Sequence, residues 1–289
     1  MFNQYFGQYL LNKGLLSSEQ LCDVLVYEQS VRTILGVIAM GDGLMSAEQV
    51  EKVLQIQHKY DKRFGEIAVT EGYLTTGQLD ELLQKQQRRH MTISQAIIDR
   101  GYLSLSQLET VLQDYKTDNL LNSELLDLRN CDYQGTIRNL YDLSVLGSQA
   151  DCFCDYIALT MRNLVRFMRI DPFIDGFATS VEGYLIKQNV TGELEFSTCV
   201  VVDESTMLNL ARRYSGEDLN IVNDLTKDCI AEFLNENNGL FIVNMSDRGL
   251  ELDLQPQYVS VDGIETLQNY YRVPIRGPHI QFDLYVGFK

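Results

Sequence analysis

The sequence predicts an α+β protein in two parts. An all-α array of four 29-residue helix-turn-helix repeats precedes an α+β domain, in which long helices cover one face of an antiparallel sheet. Three observations carry this. Gly14, Gly43, Gly72 and Gly101 recur at one fixed interval, and self-similarity of that period marks stacked supersecondary units. The period stops near Tyr115. After a long helical pattern come runs in which apolar and polar residues alternate, as half-buried strands do.

Within each period the register recurs. Phe6, Leu35, Phe64 and Ile93 align, followed by Gly7, Gly36, Gly65 and Ser94, and Leu25, Leu54, Leu83 and Leu112 align near the end. After each marker glycine come two apolar residues and then Ser17, Ser46, Thr75 or Ser104. Gln20, Gln49, Gln78 or Gln107 stands three positions later. This is a capping box four times over: the hydroxyl takes an orphan amide of the first turn, and the glutamine reaches back to the cap's own amide. One period therefore reads as helix, glycine stop, short turn, capped helix. In the third, a helix runs from about Phe64 to Thr70, and Gly72 is the left-handed residue beyond it. The next helix follows Thr75 and carries Leu79, Leu82, Leu83 and Gln86 at helical spacing. Neither is long enough to be stable alone, so each buries its stripe against its partner or a neighbouring unit. The array fills residues 1–116.

Residues 117–144 read as a polar, mixed-charge linker with weak helical character around Leu125 to Leu128, and the second domain spans 145–289. Ala150 to Ile170 reads as one amphipathic helix, with Ile157, Met161, Leu164, Val165 and Met168 at helical spacing and Pro172 as its stop. Strands are predicted over Phe177–Ile186 and Glu193–Val202, around a hairpin turn at Asn189-Val190-Thr191 before Gly192. Leu194, Phe196, Thr198 and Val200 share one face. Helices follow at Glu204–Tyr214 and from about Asn223 to Asn235. Strands resume beyond Gly239, at Leu240–Met245 and Leu250–Leu254. The last runs from His279 to Lys289, with Ile280, Phe282, Leu284, Val286 and Phe288 on one side.

Composition removes several classes of function. The 289 residues suffice for two cores, and 45% apolar with 10% aromatic content excludes a disordered chain. A net charge of −16 argues against nucleic acid and against an anionic membrane surface, because no basic stripe is present. No apolar run approaches the ~18 residues of a membrane span, and Met1 to Gly14 lacks a signal-peptide pattern. The expected compartment is the cytoplasm. The six cysteines are scattered, no C-x-x-C pair occurs, and His58, His90 and His279 are isolated. Buried small apolar thiols are expected rather than a metal site. Walker, dinucleotide, H-E-x-x-H and G-x-S-x-G signatures are missing.

One constellation carries plausible chemistry. Asp228, Glu232 and Asn235 stand at i, i+4 and i+7, on one helical stripe, while Leu225, Cys229 and Phe233 form an apolar stripe expected to seat the helix on the sheet. A carboxamide donates and accepts at once, so it can hold a water in line for attack on a phosphoryl group. On these three residues alone, a solvated helix face is the commoner reading.

The longer stretch from Asn223 through Asn235 to Gly239 resembles the chemotaxis phosphatase family of CheC, CheX and FliY, whose mark is an acid or serine and then E-x-x-N. Leu240 to Ser246, Gly249 and Leu254-Gln255-Pro256 fit the family's following strand, hairpin and proline segment. The match covers roughly 145–289 and is of the single-site CheX type, with no second E-x-x-N in the 150–170 helix. The resemblance implies a phosphatase acting on the aspartyl phosphate of a response-regulator receiver. Asn235 would orient the attacking water, Glu232 would contact the receiver's lysine, and Asp228 would support the face. The receiver would bring the Mg2+, and this chain would need no metal of its own. Glu236-Asn237-Asn238 depart from the family's apolar or small residues and imply a more polar helix end. The resemblance also implies a homodimer paired through a sheet edge, which the clean alternation of the last strand suits.

The N-terminal units resemble the N-terminal domain of type II secretion and pilus assembly ATPases, whose motif opens R-L-G, has glycine at its tenth position and closes with glutamine. Arg63-Phe64-Gly65 through Gly72 to Gln86 fits nearly throughout. Some relatives bind cyclic di-GMP through paired motifs, and Arg63 is the candidate contact. The equivalent positions here are Tyr5, Ile34 and Thr92, so a standard nucleotide site is not expected. No ATPase portion follows. The remaining alternatives are a non-catalytic adaptor for motility or pilus components and a cyclic di-GMP-responsive scaffold.

Overall fold

A computed structural model describes residues 2–29, 35–36, 39, 42–57, 59–60, 62–87, 90–120, 137–138, 140–260 and 270–288. Leu125 to Leu128, Ile34 and Cys131 lie outside them. The chain divides into two compact units, Met1–Cys131 and Asp132–Lys289.

In the first unit the helices whose bounds are described are α1 (Phe2–Asn12), α2 (Ser18–Gln29), α3 (Ala47–Gln57), α4 (Phe64–Thr70), α5 (Thr76–Gln87), α6 (His90–Asp99) and α7 (Leu105–Leu120). Their ends follow from local chemistry. The side chains of Gln20, Gln49, Gln78 and Gln107 accept from the backbone N–H of Ser17, Ser46, Thr75 and Ser104 at 2.8–2.9 Å. The returning bonds, from the glutamine N–H to the hydroxyl, are 3.2–3.3 Å. Gly14, Gly43, Gly72 and Gly101 take φ of 66°, 70°, 74° and 71°, the left-handed region in which a Cβ is strained.

Nothing lies within 4 Å of a Cβ built on Gly72, so substitution there tests backbone conformation alone. Gly72→Ala is expected to destabilise by about 1–2 kcal/mol, read as a lower urea midpoint, with Gly72→Asn milder because asparagine tolerates this region. An unchanged midpoint for the alanine variant would show that the left-handed turn contributes nothing.

Packing joins the second period to the third, and the first to the fourth. Leu35, Ala39, Met45, Val50, Val53, Ile67, Ala68, Leu74 and Leu82 form one buried cluster. Phe6 meets Tyr115 edge-on at 5.3 Å, the Tyr9 hydroxyl donates to Asp118 at 2.8 Å, and the Tyr102 hydroxyl donates to Asp23 at 2.8 Å. The partner of the first period is thus the most distant one in sequence.

In the second unit a 3-10 turn at Ser144–Gln149 leads into helix α8 (Ala150–Met168). The unit continues with β1 (Phe173–Ile174), β2 (Tyr184–Gly192), β3 (Phe196–Val202), α9 (Glu204–Ser215) and α10 (Asp224–Ser246). Then come β4 (Leu252–Leu254), β5 (Tyr258–Ser260), β6 (Tyr271–Gly277) and β7 (Ile280–Phe288). The sheet is antiparallel, in the order β1-β6-β7-β3-β2-β4, and β5 shares the outer edge of β2 with β4. The register sets Val190, Phe196 and Phe288 side by side, and likewise Gln188, Thr198 and Val286. With a side-chain period of two, these residues occupy one face. Helices α8 and α10 pack there: Phe196 meets Tyr156 at 5.8 Å and Phe241 at 5.4 Å, and Tyr156 meets Phe241 at 5.2 Å.

The structure corrects several expectations. Asn189-Val190-Thr191 is not a turn but part of β2, paired with β3 and β4. Gly192 has φ 124°, and a Cβ there would stand 2.3 Å from the Glu251 carbonyl oxygen, so this glycine admits a neighbouring strand rather than a hairpin bend. Residues 177–183 precede β2 without being strand. Leu240–Met245 is not a strand; α10 runs through Gly239 to Ser246. A helical glycine costs about 1 kcal/mol, and burial of Leu240, Phe241 and Met245 beneath the helix outweighs it. Helix α8 stops at Met168, before Pro172, because Arg169 turns left-handed (φ 54°). Strand β7 lies between β6 and β3, so both its edges are taken and it offers none to a second copy.

Candidate functional site

Helix α10 presents the predicted pair. Its first turn is fixed by Asn223, whose Oδ1 accepts from the Thr226 N–H at 3.0 Å while Thr226 Oγ1 accepts from the Asn223 N–H at 2.6 Å. That anchor and the packing of Ile230, Leu234 and Phe241 set the helix's rotation. Glu232 is left exposed and Asn235 half-buried, with Asn235 Nδ2 3.5 Å from Glu232 Oε2. Asp228 is exposed one turn nearer the N-terminus. Leu225 and Val243, each 47% exposed, extend the same outer row at either end. At 1.5 Å per residue, the row from Leu225 to Val243 is about 27 Å long, which suits a protein surface better than a small molecule.

The apolar stripe differs from the expected one. Leu225 is exposed, and Phe233 packs on Tyr214 of α9, with ring centroids 6.3 Å apart. Cys229 and Phe233 therefore hold α10 against α9, while Ile230, Leu234 and the asparagines face inward. The Tyr214 hydroxyl is pushed well above its ordinary pKa, by burial first and then by the Glu236 carboxylate beside it.

No polar helix end follows Asn235. Asn237 and Asn238 are wholly buried and belong to a hydrogen-bonded layer between α10, α8 and the sheet. Asn237 Nδ2 donates to Thr160 Oγ1 at 3.0 Å, and Asn163 Nδ2 donates to Asn237 Oδ1 at 2.8 Å. Asn238 Nδ2 donates to Gln188 Oε1 at 2.7 Å and to Thr198 Oγ1 at 2.9 Å, while the Tyr156 hydroxyl donates to Asn238 Oδ1 at 2.6 Å. Gln188 Nε2 then donates both to Asn235 Oδ1 and to the Gln255 carbonyl, each at 2.9 Å. Gln188 is the residue the sequence reading missed. Its signal is a lone carboxamide on the inward face of a strand whose neighbours Ile186 and Val190 are apolar.

Arg63 belongs to the other unit, where its backbone N–H donates to the Glu66 carboxylate at 3.0 Å at the start of α4. Cys154, Cys199 and Cys229 are buried and Cys22 and Cys152 half-buried; burial pushes the Cys199 thiol up to about 12. Among the described residues no group of three or more His, Cys, Asp or Glu could hold a metal ion. No described helix is long and apolar enough to cross a membrane.

No family model matches the chain, and no curated protein matches it significantly. Solved structures of CheX-, CheC- and FliY-like chemotaxis proteins are similar to about half of it. Chemotaxis protein CheX from Vibrio vulnificus is 16% identical, with 46% of this chain and 93% of that one covered, at a TM-score of 0.41. CheX from Desulfovibrio desulfuricans is 15% identical over 46% and 96% of the two chains, at 0.38. The CheX–CheY–BeF3–Mg2+ complex from Borrelia burgdorferi is 17% identical over 46% and 95%, at 0.39.

Proposed function

We propose that the second unit is a CheX-like phosphatase that removes phosphate from the aspartyl phosphate of a response-regulator receiver in chemotaxis or motility signalling. The single observation carrying this is the solvent-facing carboxylate–carboxamide pair, Glu232 and Asn235, on a rigid 23-residue helix. In the reaction a water oxygen bonds to phosphorus as the bond from phosphorus to the aspartyl oxygen breaks. Free carboxylate and inorganic phosphate result. Asn235 positions that water, Glu232 pairs with a receiver lysine, and Asp228 supports the face. The Mg2+ comes with the receiver. Leu225 and Val243 are the apolar contacts of the docked partner.

The first unit is proposed as the targeting or regulatory module, an array of four capped periods resembling the secretion-ATPase N-terminal domain. Cyclic di-GMP at Arg63 is the minor alternative for it.

The test adds the protein to a receiver carrying radiolabelled phosphate and follows its loss. Wild type should speed the decay well above the receiver's own rate. Decay unaltered by the protein would end the phosphatase reading, and receiver binding without hydrolysis would leave an adaptor.

A further inference from the structure

We infer that Gln188 is a positioning residue that fixes which end of the Asn235 carboxamide faces the partner; this rests on the phosphatase reading for its consequence in rate, though not for its geometry. The polarity is set by one backbone atom. The Gln255 carbonyl can only accept, so the Gln188 group 2.9 Å from it is the amide nitrogen. The other hydrogen of that nitrogen goes to Asn235, which therefore turns its oxygen inward, also at 2.9 Å. Gln188 cannot rotate away, because its own oxygen accepts from Asn238, whose oxygen in turn accepts from Tyr156. Gln188 is 1% exposed, and every atom of its carboxamide is engaged.

The consequence is chemical. With Oδ1 held by Gln188, Asn235 offers its NH2 outward, beside Glu232. Such a group can donate to the oxygen of the attacking water, leaving that oxygen's other lone pair free to meet phosphorus. Freed from Gln188, it would rotate between this orientation and its reverse and spend only part of its time aligned. Misplacement of a reacting group by about 1 Å can lower a rate by ~100-fold.

The test is a double-mutant cycle on the full chain with a phosphorylated receiver. Gln188→Met keeps the volume and removes both donors; Gln188→Glu keeps the shape but has at most one hydrogen, so it cannot donate to Asn235 and to the Gln255 carbonyl at once. Each is expected to lower the single-turnover rate about 10- to 100-fold, with receiver affinity unchanged. In an Asn235→Ala background neither should lower it further. Additive losses, or weakened binding with an unchanged bound rate, would overturn the inference. A second measurement does not need activity. In the 15N–1H spectrum of the wild type, one Gln188 side-chain amide proton should lose its hydrogen-bonded shift on Asn235→Ala while the other, on Gln255, keeps it. Two unmoved protons would refute the contact even in an active enzyme. An inactive wild type with the shift present would instead refute the phosphatase reading and leave the contact standing. Should Gln188→Met fail to fold, Gln188→Glu and the spectrum decide.

Discussion

Asn235→Ala is expected to reduce the single-turnover rate of receiver dephosphorylation by about 100- to 1,000-fold, the scale of losing one preorganised hydrogen-bonding group at a reacting centre. Two features make the effect large. The carboxamide is held by Gln188 before any partner arrives, so no reorganisation is needed as the water attacks. It also stands on a helix whose inner face is packed against α8, α9 and the sheet, so its backbone is held in place. Glu232→Ala should act differently, chiefly weakening receiver affinity, because that carboxylate is exposed and its proposed partner is a lysine. Rapid-quench measurement across receiver concentrations separates the two, since a lost binding contact raises KM while a lost transition-state contact lowers kcat. An Asn235→Ala protein within a few-fold of wild type would place the chemistry elsewhere.

Arg272→Met should remove about 3–5 kcal/mol of stability from the second unit, as breaking a buried ion pair from one side does. Asp283 is 0% exposed, on the sheet face opposite α8 and α10. Arg272 grips it with two parallel bonds, Nε to Oδ2 at 2.8 Å and Nη2 to Oδ1 at 3.0 Å. The same guanidinium donates to the carbonyls of Ala178 and Thr179 at 3.0 and 2.6 Å, and Asp283 also accepts from the Val181 N–H at 2.9 Å. Methionine would leave a buried carboxylate without its countercharge and would release the segment before β2. Urea unfolding of the full chain measures the loss. Arg272→Met/Asp283→Leu, which removes both charges, should regain most of it. A single-variant loss below about 1 kcal/mol would show that water already reaches the pair.

How much of this was legible in the sequence depended on how far apart the deciding residues stand. The four caps and four left-handed glycines are settled within four residues each, and they could be read directly. Glu232 and Asn235 were legible for the same reason: one helix of known pitch puts them on one side. Gly239 with the apolar run Leu240-Phe241-Ile242-Val243 read as a turn into a strand. What kept it helical is Phe241 lodged between Tyr156 and Phe196, and no local pattern reveals that. Gly192 reads as a hairpin glycine because its reason, the Glu251 carbonyl that would collide with any Cβ there, arrives from 59 residues further along. Gln188 was out of reach likewise: its meaning lies in a helix 47 residues away.

The bond from Tyr9 to Asp118 holds α1, the first helix of the first unit, against the C-terminal turns of α7, its last described helix. A closed body with adjacent ends tolerates cutting and rejoining. A short linker from the end of α7 to the start of α1, with new termini opened at the exposed Lys59-Tyr60 step between α3 and α4, should yield a circular permutant that still folds. The same adjacency lets such a body be spliced into a surface loop of another protein with little distortion of the host.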